Sequence, residues 1–227
     1  MQSRKYLNGY PFVSYTKNAC KPSEILEKTK AFFNLLNSRR SCRHFSDQNF
    51  PKEIIENIIL SASTAPSGAH KQPWTFCVVS DKALKKKIRD AAEKEEYESY
   101  HGRMPEEWKK DLLPLQTDWK KDFLETAPYL IVVFKKNYLL DVNNLKTNTY
   151  YASESCGIAC GILITAIHNA GLVALTHTPS PMNFLSKLLN RPANEKAFLV
   201  IPVGFAAEDC WVPDIERKGL TDVAVFY

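Results

Sequence analysis

The chain has 227 residues, 44% hydrophobic and 24% charged, with a formal net charge of +5 and six cysteines. That length suits one domain with a full core, so stability needs neither a metal nor disulfide staples. Its eight glycines are about half the usual share, and no two stand closer than four apart, which excludes GxGxxG; neither the P-loop nor GxSxG can be assembled from them either.

The charge rests on 22 lysines spread along the chain. Lys85-Lys86-Lys87 runs into Glu93, Glu95, Glu96 and Glu98, a pattern of solvated helix surface, so no nucleic-acid partner is expected. Cys20, Cys42, Cys77, Cys156, Cys160 and Cys210 form neither CxxC nor a zinc spacing, and no metal is expected. The N-terminal stretch has no apolar run suited to a signal peptide, and no segment reaches the ~20 apolar residues of a membrane span. No membrane partner is expected, and cytoplasm is the default compartment.

In chain order, Ser23 is the expected cap of a helix carrying Ile25, Leu26, Phe32, Phe33, Leu35 and Leu36 and ending near Asn37-Ser38. Pro51 opens a second helix with Ile54, Ile55, Ile58, Ile59 and Ala62 on its buried side. Trp74 to Val79 reads as a strand, followed by a charged helix from about Asp81 to Tyr100. Pro105 to Thr126 carries Trp108, Leu112, Leu115, Trp119 and Phe123 on one intermittent apolar face. Tyr129 to Phe134 is a buried strand, and Asp141 to Thr149 a polar loop. Ser153 to Ala170, apolar nearly all round, predicts a central helix that must be covered on several faces. Gly157 and Gly161 suit close approach of another helix, within the subunit or from a partner. A strand at Leu172 to Thr176, a short helix near Met182 to Leu189 and a strand at Ala197 to Val203 complete a single domain over residues 1–227, with no internal repeat.

Four groups of residues have chemical possibilities. Arg39, Arg40, Ser41 and Arg43 place three guanidinium groups and a hydroxyl within five residues, which fits a phosphate socket as well as it fits a solvated basic loop. Ala65-Pro66-Ser67-Gly68-Ala69-His70 is a turn that exposes main-chain amides. Glu96 and Tyr100 share a helix face, and with the Lys120-Lys121 pair they offer a carboxylate, a phenol and an ammonium for an amino-acid zwitterion, although isolated surface ion pairs are common. Thr176-His177-Thr178-Pro179 ends a strand. His177 is an acid or base by residue type, though a lone histidine is more often structural.

Together, Arg39-Arg40-Ser41-x-Arg43, Thr64 to Trp74, the Glu96/Tyr100/Lys121 set, Gly171 to Pro179 and Val212 to Lys218 resemble the iodotyrosine deiodinases. These are a halotyrosine-reducing branch of the FMN-dependent nitroreductase superfamily, and the resemblance runs from about Phe33 to the C-terminus. It implies an α+β nitroreductase-like fold, with a mixed central sheet flanked by helices, in an intertwined homodimer with FMN at each subunit interface.

The resemblance assigns the FMN phosphate and neighbouring atoms to Arg39, Arg40, Ser41 and Arg43, with Cys42 inside the motif, and to the distant Arg217. Further flavin contacts fall to Ser67, Gly68 and the Thr176-His177-Thr178 stretch. The main chain at Ala69 matches a contact to the substrate phenolate, while Glu96, Tyr100 and Lys121 match the zwitterion clamp on a lid at about residues 90–125. Thr178 matches a hydroxyl that bonds flavin N5 and favours one-electron steps, the catalytic position here.

The implied activity is reductive dehalogenation of 3-iodo-L-tyrosine and of bromo- and chlorotyrosine to tyrosine and halide. NAD(P)H is the ultimate electron donor, with a flavin reductase as a candidate relay. The alternatives are a broad-specificity FMN nitroreductase or flavin reductase, and a non-catalytic protein that binds flavin or halotyrosine. Animal members carry an N-terminal membrane anchor that this sequence lacks, so a soluble relative is expected.

Overall fold

A computed structural model describes residues 3–15 and 20–227. The chain forms two compact units, Met1–Arg39 and Arg40–Tyr227. In the first, strands β1 (Arg4–Leu7) and β2 (Tyr10–Val13) pair antiparallel, and helix α1 spans Pro22–Ser38. Pro22 occupies the first helical position, where its missing N–H costs nothing, and the Glu24 carboxylate accepts from the Lys21 N–H at 3.3 Å. Ser23 therefore lies inside the helix and is not its cap. Within this unit nothing buries Ile25, Leu26, Phe32 or Phe33.

The second unit is built on the antiparallel sheet β3-β4-β8-β7, from β3 (Trp74–Val79), β4 (Tyr129–Lys136), β8 (Glu195–Gly204) and β7 (Val173–Ala174). An isolated parallel bridge from Ser41 to Ala174 makes the sheet mixed, as expected. β4 is covered on both faces, which is why its sequence is continuously apolar and does not alternate. On one side Ile131 and Val133 pack with Ile55, Ile58 and Ala62 of α2 (Lys52–Ser63) and with Cys160, Leu163 and Ile167 of α6 (Ala152–Asn169). On the other, Leu130, Val132 and Phe134 meet Ile88 and Ala92 of α3 (Lys82–Glu98), Phe123 and Leu124 of α5 (Phe123–Thr126), and Leu185 of α7 (Asn183–Leu188). Each fully buried aliphatic side chain there contributes about 1.5–3 kcal/mol.

Two further expectations need correction. Pro105 to Thr126 does not present one apolar face. It divides into α4 (Glu106–Leu112), a tight turn at Leu113–Leu115, the left-handed Gln116 (φ 46°) and then α5. Trp108 is 54% exposed while Phe123 is buried, because Pro114 and the reversal at Gln116 break the helical phase. Asp141 to Thr149 contains a strand: β5 (Tyr138–Leu140) and β6 (Lys146–Asn148) form a hairpin, and Asp141 Oδ1 accepts from the Asn143 and Leu145 amides at 2.8 Å each. As expected, α6 is covered on several faces, while Gly157, Ile158 and Gly161 stay exposed within the chain. The final helix, α8, spans Leu220–Val223.

Candidate active site

The basic segment is fixed by the sheet edge. The Cys42 N–H donates to the Ala174 carbonyl at 3.2 Å beside the Ser41–Ala174 bridge, so Arg40 to Arg43 runs alongside β7. The Arg40 guanidinium donates to the Pro213 carbonyl, which brings the segment before Arg217 to the same edge. Cys42 is 7% exposed and buries its thiol, while Ser41 is exposed. Arg39 ends the first unit as the residue after α1, and Arg217 is exposed in the second.

A cavity of about 410 Å³ lies beyond the C-terminal end of β7, lined by Arg43, Glu96, Tyr100, Lys121 and Thr176–Thr178. The expected clamp residues and the strand-end hydroxyls therefore share one space. α3 delivers Glu96 because Asp81 caps its start, accepting from the Leu84 amide at 2.7 Å, and because Ile88 and Ala92, eight and four residues earlier, bury the same side of the helix and turn Glu96 inward. The helix then widens into a π-turn over Ser99–Arg103, which directs Tyr100 inward, and the phenol donates to the Thr117 carbonyl at 3.2 Å. Lys121 stands before α5. Its amide donates to Glu93 Oε1 at 2.8 Å, and its ammonium donates to the Asp118 carbonyl and lies 5.6 Å from the Tyr100 ring centre.

In this state the clamp closes on itself. The Lys121 ammonium is 3.6 Å from Glu96 Oε2, with the two side chains 5% and 15% exposed. Burial pushes the Glu96 carboxyl above its ordinary range and the Lys121 ammonium below its own, so lost hydration outweighs the mutual attraction. A ligand carrying both charges would give each buried group a second partner. Burial likewise raises the Tyr100 phenol. His177 Nδ1 faces the other carboxylate oxygen, Oε1, at 3.9 Å.

The Ser67–Ala69 turn does not line this cavity within one chain. Ser67 Oγ accepts from the Gln72 amide at 2.9 Å. A Cβ at Gly68 would stand 2.6 Å from the Tyr150 carbonyl, so only glycine fits there. Ala69 is held left-handed at φ 48°, a conformation alanine disfavours. Sequence reasoning overlooked Arg103, Thr117 and Phe123, which also line the cavity. Arg103 pairs with Glu95 at 3.0 Å and reaches the Ser180 carbonyl at 3.4 Å. Thr117 Oγ1 lies 3.4 Å from Lys121 Nζ across a non-helical stretch, a proximity that helical spacing does not reveal.

The sheet, its covering helices and this edge site match a Nitroreductase family model over residues 36–205. The chain belongs to the nitroreductase family. An iodotyrosine deiodinase of Haliscomenobacter hydrossis is 57% identical over 95% of this chain and 97% of its own length, and iodotyrosine deiodinase 1 of Homo sapiens is 44% identical over 94% of this chain and 74% of its own. A solved iodotyrosine deiodinase, crystallised with FMN and 3-iodo-L-tyrosine, superposes with a TM-score of 0.75 at 30% identity, covering 86% of this chain and 98% of that one. Within the family, the chain belongs to the iodotyrosine deiodinases.

Proposed function

We propose that this chain catalyses FMN-dependent reductive dehalogenation of halotyrosines, and that the convergence of Glu96, Tyr100 and Lys121 on the Thr176–Thr178 cavity carries the reading. A general nitroreductase has no need of a buried carboxylate, phenol and ammonium placed together. A zwitterionic phenol does, with its ammonium on Glu96 and its carboxylate on Lys121 and Tyr100.

The residues present fit a flavin phosphate. Arg40 to Arg43 offers guanidinium groups and a hydroxyl with no carboxylate among them, and it runs beside β7, just beyond whose end lie the exposed Thr176 and Thr178. Arg39, Arg40, Ser41, Arg43 and Arg217 would hold the phosphate and nearby atoms, and Thr176 and Thr178 the ring edge. Bound FMN, once reduced, would supply the two electrons that with one proton replace the carbon–halogen bond by carbon–hydrogen and release halide. Glu96, Tyr100 and Lys121 orient the ring, while the segments from about 90 to 125 close over it and exclude water. Thr178 donates its hydroxyl at the flavin edge and is the catalytic position. We take NAD(P)H as the ultimate electron source, relayed by a partner reductase.

Ser67, Gly68 and Ala69 are part of the same proposal through a second copy of the chain. Their turn lies outside the cavity of its own chain, and α6 exposes Gly157, Ile158 and Gly161, so a homodimer would bring the turn of one protomer to the flavin of the other.

The test is quenching of flavin fluorescence by 3-iodo-L-tyrosine. Saturable quenching by iodotyrosine, and much weaker quenching by tyrosine, is expected. A protein that binds FMN but responds to neither would contradict the reading and favour the broader reductase.

A further inference from the structure

We propose that His177 is a positioning residue for Glu96: its Nδ1–H holds one carboxylate oxygen so that the other faces the ammonium of the amino-acid ligand. This rests on the halotyrosine reading above and adds a specificity element to it.

The ring sits on rigid main chain. The His177 N–H donates to the Val200 carbonyl, and the Val200 N–H returns the bond to His177, both at 2.9 Å. The side chain is 7% exposed and meets the Phe123 ring edge-on, with centroids 5.6 Å apart and an interplanar angle of 88°. Its Nδ1 lies 3.9 Å from Glu96 Oε1, whereas Glu96 Oε2 lies 3.6 Å from Lys121 Nζ. The two oxygens of one carboxylate are thus divided between a fixed ring and a cation. The His177 separation is longer than a hydrogen bond, and a small rotation of the carboxylate would shorten it.

The other nitrogen settles the protonation state. Nε2 is buried with no hydrogen-bond partner among the described residues. A neutral imidazole donates from one nitrogen and accepts at the other. The carboxylate selects the tautomer with the proton on Nδ1, which leaves Nε2 as a lone pair. An imidazolium would instead bury an unsatisfied N–H and face Lys121 and Arg43, with only Glu96 in its favour and Tyr100 uncharged across the cavity. Burial, reinforced by Lys121 and Arg43, accordingly pushes its pKa down to about 3. Val200 and Phe123, packed on its remaining sides, present no titratable group. His177 therefore acts near neutrality as a fixed neutral donor and not as the acid or base its residue type suggests.

The test uses FMN-loaded protein, wild type, His177→Leu and His177→Asn, titrated with 3-iodo-L-tyrosine and with 2-iodophenol, which shares the ring but lacks the zwitterion. His177→Leu should raise the iodotyrosine Kd about tenfold, about 1.4 kcal/mol. His177→Asn, whose amide N–H falls near Nδ1, should restore most of that affinity. The iodophenol Kd, measured at saturating FMN, should stay as in wild type. Unchanged iodotyrosine binding in His177→Leu, or equal losses for both phenols, would overturn the proposal. If His177→Leu does not fold, His177→Asn against His177→Gln decides, because Gln places its amide near Nε2 and should bind iodotyrosine weakly. Wild type that binds FMN but not iodotyrosine would instead defeat the halotyrosine reading itself.

Discussion

Glu96 and Lys121 are each taken out of water to stand 3.6 Å apart, and both respond by shifting toward their neutral forms. For Glu96 the folded pKa lies above the unfolded one, so its contribution to stability is fully present below the unfolded pKa and is lost as pH rises through the folded value. Ligand affinity has the opposite sign, because an ammonium needs the carboxylate ionised. Halotyrosine affinity should therefore fall as pH drops through the raised Glu96 pKa, and Glu96→Gln should flatten that limb in a binding titration. Glu96→Gln or Lys121→Ala should each raise the halotyrosine Kd about 10–100-fold, in line with about 1.4–2.8 kcal/mol for a charged contact. FMN Kd should change less than about threefold; equal losses for both ligands would deny the clamp. Thr178→Ala should slow turnover and leave halotyrosine Kd near wild type. Glu96 and Tyr100 were legible in sequence because four residues span one helical turn. The His177 pairing was not, since it joins a sheet edge to a helix through contacts that only tertiary structure creates.

At the level of elements, the clamp depends on how α3 holds the stretch that leads into α5. Glu93 Oε1 accepts from both the Lys121 amide and Arg89 Nε at 2.8 Å, and Arg89 also reaches Glu125 at 3.2 Å and pairs with Asp122. Lys85, 4% exposed, donates to the Glu125 and Ala127 carbonyls at 2.9 and 2.8 Å, closing the end of α5. Lys85→Met should lower stability by about 1–3 kcal/mol, because a buried and a half-buried carbonyl lose their donor. A fall in thermal midpoint without a change in FMN Kd would check this. Glu93→Ala should weaken halotyrosine binding several-fold by freeing the Lys121 main chain, although Glu93 is not among the residues lining the cavity; an unaffected Kd would mean that α5 alone positions Lys121. The strands β3, β4 and β8 and the helices α2, α3 and α6 were readable because each has one clear period or one unbroken apolar run. Pro105 to Thr126 was misread because its apolar residues belong to two elements out of phase across Gln116. The β5–β6 hairpin was missed because each strand is three residues long with none buried, too short for a period, and Lys146–Asn148 is polar throughout.

For the molecule as a whole, the exposed Gly157, Ile158 and Gly161 lie on a helix whose other faces are buried, and a Cβ at either glycine meets nothing within 4 Å of its own chain. Gly161→Leu should therefore fold, with some gain in helix propensity, yet block close approach of a second copy. It should elute as a monomer and lose flavin, whereas wild type is expected to elute as a yellow dimer. A variant that stays dimeric and yellow would place the interface elsewhere. The nitroreductase fold was legible as mixed helix and strand content, whereas the proposed homodimer, in which Ser67 to Ala69 of one copy would reach the flavin of the other, came from the family resemblance and not from periodicity. The scarcity of glycine has its counterpart in four of the eight arginines, Arg39, Arg40, Arg43 and Arg217, proposed here for one phosphate. The most direct measurement is anaerobic reaction of the FMN-loaded, dithionite-reduced protein with 3-iodo-L-tyrosine, following tyrosine and iodide together. Equimolar tyrosine and iodide, released only when the flavin is reduced, is the expected result; intact iodotyrosine recovered from a protein that binds both ligands would contradict the account.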